Sequence, residues 1–437
     1  MQIPDEWTWL LSPEGLETLK FMESLSSQDE LKILTFLREK RNLSPACAAL
    51  AVQQTRLRRR AVSKFPETAS QMFFTPVGLE QSTDAWIAAY KASRFPEGVP
   101  VADICCGIGG DLSALALQHP VLGVDANPVT AVTAEWNLRK SQEILNGKKQ
   151  KKNEPNAQIC VLNNEYKAIT KRELSWNSSV QYNTAENFLA QTRPEDFPSI
   201  HIDPDRRSEG VRTSQLVWFS PGLEVIEELL KGRQNAAVKL APGTKTPDDW
   251  VRRASELEWI SRDRECRELL VWFRKGETYP NGARRRATIL KAHSSEVAFT
   301  ICGQAGIPIP VASEPGRYIY DVDSAILAAG LEGELARHYN LCRFDEGTVF
   351  LTGQNLIKVS GISSFEIVRI LPLDKKLIIK QARELGWTNP EVKKRGKVPE
   401  PDTVRQWLKG PKNKNFGTIF LVQTTVQNFA VFCKRNG

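Results

Sequence analysis

The 437-residue chain is poor in the residues that staple or metallate a fold. Its eight cysteines stand at 47, 105, 106, 160, 266, 302, 342 and 433, and no two form a C-x-x-C pair. Only four histidines accompany them. No zinc-like spacing results, so no metal is expected. Free thiols in a reducing cytoplasm are the simpler reading of cysteines this few. Nowhere do about 18 apolar residues run together, so no membrane-spanning helix is expected. Asp5 and Glu6 stand where a secretory signal carries positive charge, which argues against export.

What is present fits a soluble globular protein, with 41% hydrophobic and 25% charged residues. The chain is too long for one ordinary core and predicts about two to four domains. Charge is unevenly spread. Residues 358–437 hold 16 Lys and Arg against 6 Asp and Glu, whereas the rest holds 43 against 45. The basic excess therefore lies in the last 80 residues. A segment this basic points to a polyanionic partner, of which nucleic acid is the common case; a solvated basic surface is the alternative.

Residues 1–73 read as a helical N-terminal region, with apolar residues three and four apart in LETLKFMESL and LKILTFLREK. TRLRRR (55–60) is either an RNA-phosphate contact or the wet face of a helix. From 74 to 293 short apolar runs alternate with helical patterns. VPVADICC, VLGVD, QICVLN, SIHIDP, AAVKLA, ELLVWF and RRRATILK are the candidate strands. This alternation predicts an α/β domain on a parallel sheet. The lysine-rich NGKKQKKNEPN (146–156) reads as a loop insertion. Segments 294–357 and 358–437 predict small α+β structure with an antiparallel sheet and a basic loop, KKRGKVPEP.

The first strand leads into D-I-C-C-G-I-G-G-D, from Asp103 to Asp111. Gly107, Gly109 and Gly110 allow a sharp turn and close approach of a ligand. A second acid, Asp125, ends the next strand, where a carboxylate can accept both hydroxyls of an adenosine ribose. A dinucleotide fingerprint is G-x-G-x-x-G, but Leu112 fills the third glycine's place. Asp111 would repel a pyrophosphate. S-adenosylmethionine carries no phosphate, and its amino group suits an acid such as Asp103 or Asp111. The pattern favours that cofactor over a dinucleotide, with a ligand-free glycine turn as the remaining alternative.

The fourth strand ends I-H-I-D-P-D-R-R, at the carboxyl edge where open α/β sheets bind ligands. Asp203, then Asp205, are the candidates for orienting an acceptor or taking its proton. Arg206 and Arg207 are candidates for a phosphate clamp. A strand-end turn with locally paired arginines is the bland alternative. No cysteine stands beside Asp203, so a thiolate route to a pyrimidine ring lacks support.

These motifs resemble the class I S-adenosylmethionine-dependent methyltransferases, through D-x-x-x-G-x-G-G-D, V-D-A-N-P and A-x-x-N at Ala134–Asn137. The resemblance implies a Rossmann-like domain over 74–293. It also implies cofactor contacts from Asp103, Gly107, Gly109, Asp125, Ala126 and Asn127. Thr184 stands where the family usually has an acid after the third strand, so Ala185 and Glu186 are the substitutes there. FTPVGLEQST (74–83) is similar to the segment covering the cofactor, and Thr83 is its candidate contact. The D-P-D-R corner lacks the aromatic of the base-amine methyltransferases. The order of L-E-Q-S-T, D-P-D-R-R, V-K-L-A-P-G, R-E-L-L-V-W, E-P-G-R-Y-I-Y-D, F-L-T-G and V-K-K-R-G-K-V also resembles a bacterial group. Its members pair such a domain with a ferredoxin-like module, here 294–357, and a THUMP-like domain, here 358–437. That resemblance implies RNA as substrate, with Lys393, Lys394 and Arg395 as candidate contacts. A methyltransferase acting on protein or a small molecule, or a non-catalytic RNA-binding protein, are the other readings.

Overall fold

The computed structural model describes residues 3–25, 29–149, 178–205, 207–208, 211–212, 219–277, 279–280, 282–410 and 417–435. They form two compact units. The first comprises Met1–Ser255, Leu270–Pro280 and His293–Ser295; the second comprises Glu256–Leu269, Asn281–Ala292 and Glu296–Gly437.

The first unit opens with helices α1 (Asp5–Leu10), α2 (Pro13–Ser24), α3 (Glu30–Lys40) and α4 (Pro45–Ala61). The side chains of Ser12 and Ser44 cap α2 and α4, and each is followed by proline, whose missing N–H is harmless at a helix start. Trp7, Leu10, Leu19, Met22, Leu37 and Leu50 close a core between these helices. The basic stretch splits on α4. Arg58 is buried and donates to the Met72 carbonyl and Glu23, while Arg56, Arg59 and Arg60 are exposed.

Two short helices, α5 (Pro76–Gln81) and α6 (Ala85–Ala92), lead into the sheet. The order continues β1 (Val101–Ile104), α7 (Gly110–Leu115), β2 (Val121–Asp125), α8 (Pro128–Lys149), β3 (Ser179–Tyr182), α9 (Ala185–Gln191) and β4 (Ser199–Ile202). A hairpin of β5 (Arg207–Ser208) and β6 (Val211–Arg212) follows, then α10 (Leu223–Leu230), β7 (Asn235–Leu240) and α11 (Asp248–Arg253). Strands lie in the order β7-β4-β1-β2-β3, all parallel. β1 and β4 are buried along their whole length, so the polar residues they carry, Asp103 and His201, meet each other rather than water. Chain order runs β1 to β3 one way and continues from β4 the other way. The carboxyl ends of β1 and β4 therefore flank the crevice where such sheets bind ligands. α8 reaches Lys149, so it takes in the start of the expected insertion; the rest of it, and QICVLN, lie outside the described residues.

The second unit begins with β8 (Glu256–Arg262), β9 (Glu265–Arg274), β10 (Arg284–Leu290) and β11 (Val297–Gly303). β9 passes into the first unit from Leu270 onward. β10 pairs parallel with β8 and antiparallel with β11, so pairing continues past residue 294. Beyond lie β12 (Tyr318–Val322), α12 (Ser324–Ala329), α13 (Glu332–Tyr339), β13 (Cys342–Arg343), β14 (Leu351–Gly353) and β15 (Ile362–Pro372). The chain ends with α14 (Lys375–Glu384), β16 (Glu391–Arg395), α15 (Pro401–Trp407), β17 (Thr418–Val422) and β18 (Phe429–Arg435). One seven-stranded sheet, β13-β14-β12-β15-β18-β17-β16, joins the strands of 294–357 to those of 358–437 through the β12–β15 pairing.

Two expectations change here. KKR belongs to a strand, β16, rather than to a loop. It is an edge strand, where lysines keep a free sheet edge from pairing with another chain. The sheet is also not wholly antiparallel. β16 and β17 run parallel because α15 carries the chain across between them. Among the described residues, no helix is long and apolar enough to cross a membrane.

Candidate active site

The turn after β1 is held open by left-handed backbone. Cys105, Gly107 and Gly109 all have positive φ, at 61°, 58° and 83°. The glycines differ in why they must be glycine. A Cβ at Gly109 would stand 3.3 Å from the Ala134 carbonyl oxygen on α8, and one at Gly110 3.1 Å from the Thr83 carbonyl oxygen. Those two serve close packing. A Cβ at Gly107 would meet nothing within 4 Å, so this glycine faces open space. Asn137 on α8 locks the turn. Its amide donates to the carbonyls of Ile108 and Phe73 and accepts from the Phe73 N–H.

Asp125 closes the far side. Its carboxylate accepts from the Gly107 N–H at 3.0 Å and the Asn127 N–H at 2.9 Å. Burial still pushes its pKa up to about 6, despite those two donors. Ala126 and Asn127 are exposed beside it. Thr184, at the expected position of an acid, caps α9 by accepting from the Asn187 N–H. Ala185 is buried behind it and Glu186 is exposed.

Beneath the turn lies an ion network that sequence reasoning only half anticipated. Asp103 faces His201 across the β1–β4 register, with Oδ1 2.7 Å from His201 Nδ1. Burial raises the Asp103 pKa. Burial works against charge on His201, but attraction to Asp103 outweighs it and raises the imidazole pKa too. Asp103 Oδ2 is buried and has no hydrogen-bond partner among the described residues. Asp111 pairs with Lys91 at 2.7 Å and accepts from the Thr83 hydroxyl at 2.7 Å. Burial opposes its charge, yet Lys91, His201 and Lys239 overcome that and hold it far below the usual carboxylate range. Thr83 therefore touches Asp111 directly. Lys91, Lys239 and His201 were missed. Their signal was present, since a lysine inside an apolar run such as AAVKLA must find a carboxylate once buried.

At the carboxyl end of β4, Asp203 is partly exposed and its Oδ2 lies 2.6 Å from Lys239 Nζ on β7. Asp205 is exposed and accepts from Gln81 of α5 at 3.2 Å. Its backbone bridges to Ser220 through two hydrogen bonds. Arg206 and the side chain of Arg207 lie outside the described residues. Burial raises the thiol pKa of Cys105 and Cys106 well above its ordinary value, which disfavours a thiolate nucleophile.

In the second unit, Lys393 lies 3.0 Å and Arg395 3.3 Å from the buried carboxylate of Asp321, which Arg264 also approaches at 3.3 Å. Lys394 pairs with Glu400. These three candidate substrate contacts are thus engaged within the protein. Among the described residues no three or more His, Cys, Asp or Glu are grouped to hold a metal.

Comparison with known proteins bears on the fold. Residues 362–435 match the family described as THUMP domain-like, and residues 4–61 match a domain of unknown function, DUF8688. Uncharacterized S-adenosylmethionine-dependent methyltransferases from two strains of Mycobacterium tuberculosis are each 28% identical over 367 residues, covering 82% of this chain and 88% of theirs. A crystal structure from Porphyromonas gingivalis W83, assigned as a methyltransferase, superposes with a TM-score of 0.72. It is 20% identical and covers 97% of this chain and 98% of that one. The architecture is thus an α/β methyltransferase fold with a helical N-terminus and a THUMP-like C-terminal segment.

Proposed function

We propose that this chain, an S-adenosylmethionine-dependent methyltransferase with a THUMP-like C-terminal domain, methylates RNA in the cytoplasm. Under this reading its division is 1–73 helical, 74–293 catalytic, 294–357 connecting and 358–437 RNA-holding. The observation that carries the catalytic half is the pairing of two strand ends at the sheet's reversal: the Gly107–Asp125 turn after β1 and Asp203 after β4.

The cofactor fits the residues present. Gly107 leaves open space over the turn, Asp125 sits where a ribose would donate its hydroxyls, and Asp103 Oδ2 is a buried acceptor without a partner among the described residues. Asp103, Gly107, Gly109, Gly110, Asp111, Asp125, Ala126, Asn127 and Ala185 would form the cofactor side, with Thr83 acting through Asp111 and Glu186 at its rim. Bound there, the cofactor supplies an electrophilic methyl on a sulfonium. Transfer breaks the S–CH3 bond, forms a bond to the acceptor and requires the acceptor to lose a proton. Asp203 is the residue we assign to orient that N–H or O–H, with Asp205 beside it.

The acceptor reading rests on the basic excess of 358–437 together with the THUMP-like match. RNA from cells lacking the protein, incubated with the enzyme and methyl-labelled cofactor, is expected to gain label. Nuclease digestion and mass spectrometry would then identify the modified nucleoside. Label appearing only in protein or small molecules would move the acceptor out of RNA.

A further inference from the structure

We infer that Lys239 is a positioning residue for methyl transfer, which clamps Asp203 so that a single carboxylate oxygen, Oδ1, meets the acceptor. This inference rests on the role proposed above for Asp203. Lys239 sits near the end of β7, with a residue exposure of 5%. Its Nζ lies 2.6 Å from Asp203 Oδ2 and 3.9 Å from Asp111 Oδ2. A lysine is rarely buried this deeply without carboxylates to meet it. Here one of the two belongs to the cofactor turn and the other to the acceptor corner.

The arrangement has a chemical consequence. Asp203 Oδ2 is occupied, while Oδ1 has no partner among the described residues and its side chain is 26% exposed. An unclamped aspartate could turn about its side-chain torsions and present either oxygen. The clamped one offers one acceptor atom in one place, which suits an acceptor carrying a hydrogen on nitrogen or oxygen. Asp111 is itself fixed by Lys91 and Thr83. Lys239 thus ties the height of Asp203 to the cofactor turn, and donor and acceptor are set in line by one ammonium. Misplacing a reacting group by about 1 Å can cost on the order of 10²-fold in rate.

Three variants, Lys239→Met, Asp203→Asn and the double, test the clamp in steady-state methyl transfer to RNA. Lys239→Met is expected to lower kcat on the order of 10²-fold while leaving KM for the cofactor nearly unchanged. The double variant is expected to be no slower than Asp203→Asn alone, because the lysine acts through the aspartate. A normal kcat in Lys239→Met, or a change confined to KM for the cofactor, overturns the inference. If Lys239→Met does not fold, Lys239→Gln, which also removes the charge, replaces it under the same criteria. Should the wild type transfer no methyl to RNA, the functional reading falls. The clamp is then judged by thermal unfolding of the same three variants. Non-additive shifts in Tm keep it, and additive shifts discard it.

Discussion

Replacing Asp203 with asparagine is expected to reduce methyl transfer by roughly 10³-fold, within the range for loss of a positioned acid–base group, while cofactor affinity stays nearly constant. Asparagine is the better probe than alanine. Lys239 is buried and bonded to Asp203 Oδ2. Alanine would leave that ammonium with only Asp111, 3.9 Å away, as a compensating charge. Removing one partner of a buried pair costs roughly 3 kcal/mol of stability, and lost activity would then be confused with lost fold. Asparagine keeps an oxygen near Lys239 but carries no charge and cannot take a proton. Quench-flow transfer alongside calorimetric cofactor binding separates the outcomes. Equal activity in the variant would move the acceptor-orienting role away from the end of β4.

Neutralising the exposed face of α14 is expected to have the largest effect on RNA binding. Lys376, Lys380 and Arg383 are exposed and lie at four- and three-residue spacing, while Ile378 and Ala382 hold the other face in the core. Lys393 and Arg395, by contrast, neutralise buried Asp321, and their loss should cost stability first. Changing the three α14 cations to glutamine is expected to lower the slope of log affinity against log salt by about two to three units. RNA affinity should fall on the order of 10²-fold at low salt. Filter binding across a salt series measures both. An unchanged slope would remove α14 from the RNA-binding surface.

The parts legible in the sequence were those where one residue type has few physical uses. The Gly107–Gly110 turn, the acid at Asp125 and the apolar runs that became β1, β2, β4, β7, β9 and β10 all fall in this class. β8 was not read because it looks polar. Glu256, Glu258 and Ser261 interrupt its apolar residues, yet the whole strand is buried and Glu258 bonds the Thr288 hydroxyl of β10. Short polar strands of this kind are decided by tertiary partners rather than by periodicity. The same holds for Thr184. A missing acid looked like a departure from the pattern, but the position is a helix N-cap, where threonine and aspartate are both favoured. That Lys91 and Lys239 need carboxylates could be read from their apolar surroundings, but which groups they and His201 meet could not, because pairing across β1, β4, α6 and β7 is not encoded in local spacing.

The cofactor turn carries the account, and calorimetric titration with S-adenosylmethionine at two pH values tests it most directly. Burial sets the Asp125 pKa at about 6. Ribose hydroxyls donate to the ionised carboxylate, so the cofactor should prefer the deprotonated protein. Stoichiometric binding is expected at pH 7, weakening about tenfold by pH 5 as Asp125 takes up its proton. Absence of binding at millimolar cofactor, or an affinity unchanged across that range, would contradict the assignment of Asp125 and the Gly107 turn.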